Sequence, residues 1–313
     1  MPSKTLPANA GAKKKVAAKK PAAAPKASAV SKPGAAAGTK TKRKFDYEIG
    51  FIGGGNMAEA MIRGLVGAGN GPGSIAVAEP VATRRAYLRK VYRIAVLADG
   101  AALAASARIV VLAVKPQILP EVLQSIAEVV TNKNLILSIA AGVRLGRMEK
   151  ALGEGIRVVR CMPNTPCLVG RGAAVLCRGK YAKARDISRA RGILSPVAAV
   201  YVTDKESTLD PVTGLSGSGP AYVYRFAEAL VRGGRKAGLN EELARRLTYQ
   251  TLLGAAEMLI QTGQTPEDLR KAVSSPGGTT VAGLAALEEG GFVDTVVDAV
   301  VKATKRSKEL ARS

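Results

Sequence analysis

GFIGGGNMAEAMIRGL, residues 50–65, is a short apolar run that meets a glycine turn and passes straight into a helical pattern. Gly53, Gly55 and Ala58 fit G-x-G-x-x-G/A. The first glycine permits the tight turn, the second lets backbone approach a pyrophosphate, and Ala58 lets the helix pack close to the strand. Apolar or small residues continue at Met57, Ala60, Met61, Gly64, Leu65 and Ala68, the spacing of one helix face. The free N–H groups of the turn and the helix dipole then face an anion, the outline of a nucleotide-phosphate site. A lone motif of this kind also describes an ordinary glycine turn. The strand before it and the helix after it supply the context that the nucleotide reading requires.

Working outward, short apolar runs alternate with helical stretches from Tyr47 to Val202. Candidate strands are Glu48–Ile52, Ser74–Ala78, Ile109–Val114, Leu135–Ile139, Arg157–Met162, Ala173–Cys177 and Val200–Thr203. Such alternation predicts an α/β domain with a mostly parallel sheet covered on both faces, binding ligands beyond the carboxyl ends of its strands. Lys115-Pro116, Ala140-Ala141-Gly142 and Pro163-Asn164-Thr165-Pro166 fall at those ends and can line one crevice. After about Asp204 the strand signal stops. Stretches 221–237, 241–261, 266–272, 279–288 and 293–310 read as helices separated by Gly or Thr/Pro punctuation. Small residues such as Gly217, Gly219 and Gly254-Ala255-Ala256 permit close helix packing. A helical module this small gains a core by dimerising, so homodimerisation is expected.

The chain has 313 residues, three cysteines (Cys161, Cys167, Cys177) and no histidine. A Ser-His-Asp or Cys-His nucleophile is therefore impossible, and no metal site is expected. Nothing resembles a spanning segment or secretory signal, so a cytoplasmic protein without membrane insertion is expected. The formal charge of +23 is unevenly placed: residues 1–44 hold eleven lysines, one arginine and no acidic residue. This Ala/Lys/Pro-rich stretch has no apolar periodicity and is expected to be disordered. AKKPAAAPK, residues 18–26, resembles the tails of linker histones, which suggests attachment to nucleic acid or anionic surfaces. A solubilising extension explains it equally.

SSPGGTT, residues 274–280, places Pro276 and two glycines before Thr279 and Thr280, which open a helix reading TTVAGLAALEE. Free amides and two hydroxyls converge there on a concavity that suits a small carboxylate, although an ordinary N-cap would read the same way. Cys161 and Cys167 flank MPNTP, where buried packing competes with an oxidation-sensitive role. Asp210 reads as part of an interdomain turn.

Six segments together resemble one family. GFIGGGNMAEA at 50–60, AVKPQ at 113–117, SIAAGV at 138–143, MPNTP at 162–166, VTGLSGSGPAYV at 212–223 and SSPGGTT at 274–280 look like pyrroline-5-carboxylate reductase, over nearly all of residues 47–310. The resemblance implies a Rossmann-type domain at 45–205, a helical dimerisation and substrate-binding domain at 206–313, and a tail at 1–44. It implies reduction of 1-pyrroline-5-carboxylate to L-proline by NADPH or NADH, in a homodimer or an assembly of dimers. Carried over, Ile52, Gly53, Gly54, Gly55, Asn56 and Met57 would hold the pyrophosphate. Ala113, Val114, Lys115 and Pro116 with Ala140, Ala141 and Gly142 would border the cofactor, and Asn164 would lie near the nicotinamide. Ser275, Gly278, Thr279 and Thr280 would grip the substrate carboxylate, with the Thr280 hydroxyl beside the ring nitrogen as the catalytic group.

Glu79 departs from the pattern. A carboxylate after the second strand suits a free ribose 2′-OH and repels a phosphate, which favours NADH. Thr83, Arg84 and Arg85 keep NADPH open if they turn inward, while a solvated helix start would leave them idle. Lys115 is as readily a solvated strand-end lysine as a ligand contact. The 6-phosphogluconate-type dehydrogenases share the two-domain layout, but SGSGPAYVYRFAEAL at 216–230 lacks the lysine they carry on that helix. A nucleic-acid-binding protein with a redox-sensing or dimerising module is the other rival, and it rests on the tail alone.

Overall fold

The computed structural model describes residues 45–311. The expectations for residues 1–44, disorder and attachment to polyanions, lie outside the described residues. Eight strands form one sheet: β1 (Tyr47–Ile52), β2 (Ile75–Ala78), β3 (Ala95–Leu97), β4 (Ala107–Leu112), β5 (Leu135–Ser138), β6 (Arg157–Pro163), β7 (Gly172–Arg178) and β8 (Ala198–Thr203). Their order is β3-β2-β1-β4-β5-β6-β7-β8, and every pairing is parallel except the antiparallel β6 and β7. The strand order reverses between β1 and β4, which puts the switch point of the sheet at the end of the strand that opens the glycine turn.

Six helices cover this sheet: α1 (Asn56–Gly67), α2 (Ala82–Tyr92), α3 (Gly100–Ser106), α4 (Leu119–Ile126), α5 (Leu145–Leu152) and α6 (Ala184–Leu194). Alternating strand residues feed two cores. Phe51, Ile109, Val111 and Leu137 pack with Met61, Leu65, Leu88 and Ile193 of α1, α2 and α6. Val110, Leu112 and Ile136 pack with Leu103, Leu123 and Met148 of α3, α4 and α5. With both faces covered, the central strands need apolar side chains on both, which is why they read as continuous hydrophobic runs.

The rest is helical: α7 (Leu209–Val212), a π-helical turn at Thr213–Gly217, α8 (Gly219–Lys236), α9 (Glu241–Thr262), α10 (Pro266–Ala272), α11 (Thr279–Glu289) and α12 (Phe292–Leu310). Asn240 and Thr265 cap α9 and α10 by accepting from Leu243 N and Asp268 N. The α12 helix crosses the π turn so closely that a Cβ on Gly214 would stand 2.8 Å from Val300 O and 2.3 Å from Thr304 Oγ1. Two polar ties join the start of the helical part to the sheet domain, the second of them also reaching α12. Glu206 Oε1 accepts from Arg160 Nη1 and Leu145 N, each at 2.7 Å. Asp210 accepts from Arg144 Nη2 at 2.7 Å and Ser307 Oγ at 2.9 Å.

Several expectations need correction. The third expected strand runs Ala107–Leu112, so Ala113 and Val114 belong to the loop beyond it. The edge strand β3 was not foreseen, because three half-buried residues give no usable period. Ala68 is exposed past the end of α1. Asp210, expected in an interdomain turn, lies in the short helix α7 as a buried carboxylate with two partners. Among the described residues no helix is long and apolar enough to cross a membrane.

Candidate active site

Strand register brings the loop residues to one edge. Ile52 pairs with Ala78 and with Leu112, and Leu112 with Ser138, so residues 53, 79, 113 and 139 leave the sheet side by side. Hydrogen bonds hold them there: Gly53 N to Ala78 O at 2.8 Å, Ala113 N to Ile52 O at 2.9 Å and Ile139 N to Leu112 O at 3.2 Å. Gly53 has φ +97°, and a Cβ there would stand 2.8 Å from Ala113 O. Only glycine makes that turn without strain. A Cβ built on Gly55 meets nothing within 4 Å, and no side chain caps the start of α1. An open, uncapped helix start behind a glycine turn fits a pyrophosphate, so these residues suit a dinucleotide.

Glu79 is nearly buried and braces this loop. Its Oε2 accepts from Gly54 N at 2.9 Å and its Oε1 from Val81 N at 3.0 Å. A carboxylate offers about four lone-pair positions, so acceptor capacity remains for a ribose hydroxyl. The arginines are not a solvated helix start. Arg84 donates from Nε to Gly54 O at 2.7 Å and from Nη2 to Glu59 Oε2 at 2.5 Å, while Arg85 Nη1 reaches Glu79 O at 2.8 Å and Pro80 O at 2.7 Å. Glu59 also accepts from Tyr87 and Tyr92. Burial pushes the Glu59 carboxyl up, but the bonds from Tyr92, Arg84 and Tyr87 and the Arg84 charge outweigh it and hold it below its usual range. Burial, followed by the bond to Glu59, pushes Tyr92 up to about 12. Motif reading missed Glu59, Tyr87 and Tyr92, because packing of α1 against α2 is what unites them.

Further along the edge, Lys115 is exposed and Ala140 buried, with Ala141 and Gly142 half-buried. A Cβ on Gly142 would lie 3.8 Å from Leu310 Cβ, so the end of α12 reaches this loop. Asn164 is a joint. Its Oδ1 accepts from Ala173 N at 2.8 Å, and its Nδ2 donates to Ser216 O and Oγ at 3.3 Å each. Cys161 and Cys167 are buried, and burial raises both thiols, which makes them packing groups rather than nucleophiles.

The carboxylate loop belongs to the helical part. Ser275 and Thr279 are exposed, Gly278 and Thr280 half-buried, and Gly278 N donates to Ser275 O at 2.9 Å. Gly278 caps α11 without a side-chain bond. Among the described residues, the hydrogen bonds of 274–280 all go to this loop or to its flanking helices, and none reaches the sheet. The structure thus gathers Ile52–Met57, Glu79, Ala113–Pro116, Ala140–Gly142 and Asn164 along the sheet edge, and leaves Ser275–Thr280 on the helical part.

Comparison with known proteins bears on both halves. Residues 206–310 match the family described as pyrroline-5-carboxylate reductase dimerisation, and residues 48–142 match that described as NADP oxidoreductase, coenzyme F420-dependent. A pyrroline-5-carboxylate reductase of Synechocystis sp. is 42% identical over 85% of this chain and 98% of its own length. That of Pseudomonas aeruginosa is 41% identical over 84% and 96%. Among solved structures, a pyrroline-5-carboxylate reductase from Coxiella burnetii superposes with TM-score 0.81 at 36% identity, covering 86% of this chain and all of its own. The Plasmodium falciparum pyrroline carboxylate reductase with NADP bound gives 0.76 at 33%, covering 85% and 99%. Agreement of this extent across the glycine cradle, the joint and the helical module leaves one conclusion: the chain belongs to the pyrroline-5-carboxylate reductase family.

Proposed function

We propose that this chain reduces 1-pyrroline-5-carboxylate to L-proline, the last step of proline biosynthesis, with NADH or NADPH. The observation that carries this reading is the glycine cradle at the sheet's switch point, in a chain that spans 98% of a relative named for that substrate. When bound, the cofactor supplies a hydride to the C=N carbon. The protein's part is positioning, which can account for much of a rate enhancement when reacting atoms are held about 3–3.5 Å apart. Ile52–Met57 hold the pyrophosphate, Ala113–Pro116 and Ala140–Gly142 border the cofactor, and Asn164 lies near the nicotinamide. Ser275, Gly278, Thr279 and Thr280 hold the substrate carboxylate with hydroxyls and uncapped helix amides, which bring no basic side chain to compete for the imine proton. The Thr280 hydroxyl hydrogen-bonds the ring nitrogen. It is too weak an acid to be the ultimate proton source, so the substrate binds as the iminium or water relays the proton.

Purified full-length protein given pyrroline-5-carboxylate should oxidise NAD(P)H and form proline; no proline from either cofactor overturns the reading. Thr280→Ala should lower kcat/KM about 100- to 1000-fold, the range for loss of one preorganised transition-state hydrogen bond. Unchanged turnover and affinity would remove Thr280 from the site.

Glu79 supports a preference for NADH over NADPH. Its buried carboxylate, already bound to two loop amides, accepts from a 2′-OH and repels a 2′-phosphate. Glu79→Ser should move the ratio of kcat/KM for the two cofactors about tenfold toward NADPH, roughly one charge-assisted contact. A wild type that strongly prefers NADPH contradicts the assignment.

The helical part supports a homodimer, and dimers of this kind can associate further. Of the 22 residues of α9 only Ala244 and Thr248 are buried, and α11 buries none. Such helices reach ordinary burial only against another surface. The exposed valines of α12 lie within residues 206–310, the stretch that matches the dimerisation family. We assign the domain boundary to the stretch between Thr203 and Glu206, where strands give way to helices. Three buried free thiols suit a reducing, cytoplasmic setting. The charge of residues 1–44 supports salt-sensitive attachment to nucleic acid or anionic surfaces.

A further inference from the structure

The outer wall of the glycine loop carries a charge network that the reaction does not require. Gly54 stands between two acids. Its N–H donates to Glu79, and its carbonyl accepts from Arg84, whose other arm is held by Glu59. The second oxygen of Glu59 is fixed by Tyr87 at 2.9 Å and Tyr92 at 2.8 Å, and the Arg84 guanidinium lies 5.0 Å from the centre of the Tyr87 ring. Carbonyl, carboxylate and ring therefore hold this cation on three sides. It is nevertheless part-exposed, with a quarter of its side chain open to solvent. Arg85 is engaged differently, bracing the carbonyls of Glu79 and Pro80 with no carboxylate partner among the described residues. Arg84 is thus the guanidinium at this loop whose availability another side chain controls.

We infer that Glu59 is a positioning residue for cofactor selectivity: it latches Arg84 to the glycine loop and so withholds that guanidinium from a 2′-phosphate. This rests on the dinucleotide reading above and deepens it. Guanidinium pairs with carboxylate and with phosphate through the same planar donors, so Arg84 cannot serve both fully. With Glu59 neutral, the Nε bond to Gly54 O persists as a pivot, and the Nη groups turn toward the ribose edge beside Glu79. Selectivity then has two layers: Glu79 repels the phosphate, and Glu59 occupies its natural counter-charge.

The test is calorimetric titration of the full-length protein with ADP-ribose and with 2′-phospho-ADP-ribose, which needs no turnover. Glu59→Gln keeps the side-chain shape and an acceptor for the tyrosines. It should shift the ratio of the two dissociation constants about tenfold toward the phosphorylated ligand, which is about 1.4 kcal/mol. The double variant Glu59→Gln/Arg84→Gln should lose that shift, because the gain belongs to the released guanidinium. An unchanged ratio in Glu59→Gln overturns the latch. A shift that survives in the double variant overturns it too, since lost repulsion alone then suffices. If Glu59→Gln does not fold, Glu59→Asp keeps the charge with a shorter reach and should move the ratio about threefold, a partial release of the same contact; no movement there is equally fatal. Wild type that binds neither ligand refutes the dinucleotide reading itself, whereas ADP-ribose binding with an immovable ratio refutes only the latch.

Discussion

Gly53→Ala is expected to weaken ADP-ribose binding about a hundredfold, close to 2.7 kcal/mol, and to destabilise the fold by about 2–3 kcal/mol. At φ +97° a methyl group is strained whatever space surrounds it, and here there is none. Its Cβ would stand 2.8 Å from Ala113 O and 3.0 Å from both Ala113 C and Val114 Cγ1. Two of those atoms are backbone. Ala113 cannot retreat without breaking its 2.9 Å bond to Ile52 O, which ties β4 to β1 at the switch point. The loop must deform instead, and with it the amides that face the pyrophosphate. Gly55→Ala is the control, because its Cβ meets nothing within 4 Å and its φ is an ordinary −69°. That variant should keep wild-type urea stability yet bind ADP-ribose more weakly, since the methyl occupies space through which a phosphate approaches. Wild-type affinity in Gly53→Ala would mean that this turn is not the cradle.

The same contrast explains what the sequence could reveal. The start of α1 was legible because its determinants are local: an apolar strand, a glycine with positive φ and a helix stripe lie within 16 consecutive residues. The break between α9 and α10 was legible for the same reason, through the Gly and Thr/Pro punctuation at 263–266. Interactions set by packing were not. Glu59 and Arg84 are 25 residues apart on different helices, and nothing in either neighbourhood announces the pair. Asp210 looked like a turn residue, since the residues that make it a buried acceptor, Arg144 and Ser307, are 66 and 97 positions away. Strand β3 escaped because an edge strand of three part-buried residues has too few positions to display alternation. The carboxylate loop was legible as a motif, while its lack of hydrogen bonds to the sheet was not, because motif order carries no information about which surface each motif faces.

Val297→Glu is expected to convert the protein to a monomer and to reduce proline formation below about 1% of wild type, while ADP-ribose affinity stays within about twofold. Val293, Val297 and Val301 recur every fourth residue along α12 and are 57%, 54% and 59% exposed in a single protomer. A stripe of three valines facing water is unfavourable, and a second copy laid across it removes that cost. In a two-fold interface each substitution appears twice. Two carboxylates would then enter an apolar contact without counter-charges, at several kcal/mol per buried ion, enough to move the dimer equilibrium by more than a hundredfold. Loss of activity follows from the position of the substrate loop. Ser275–Thr280 make no hydrogen bond to the sheet of their own protomer, so their approach to the cradle depends on how the helical part is held, and we propose that the second copy holds it. The nucleotide cradle is built within one protomer and should survive. Sedimentation velocity, proline formation and ADP-ribose titration on the same sample separate the alternatives. A monomer that still makes proline would show that one protomer closes its own site, and a dimer that persists would place the interface on another face of the helical part.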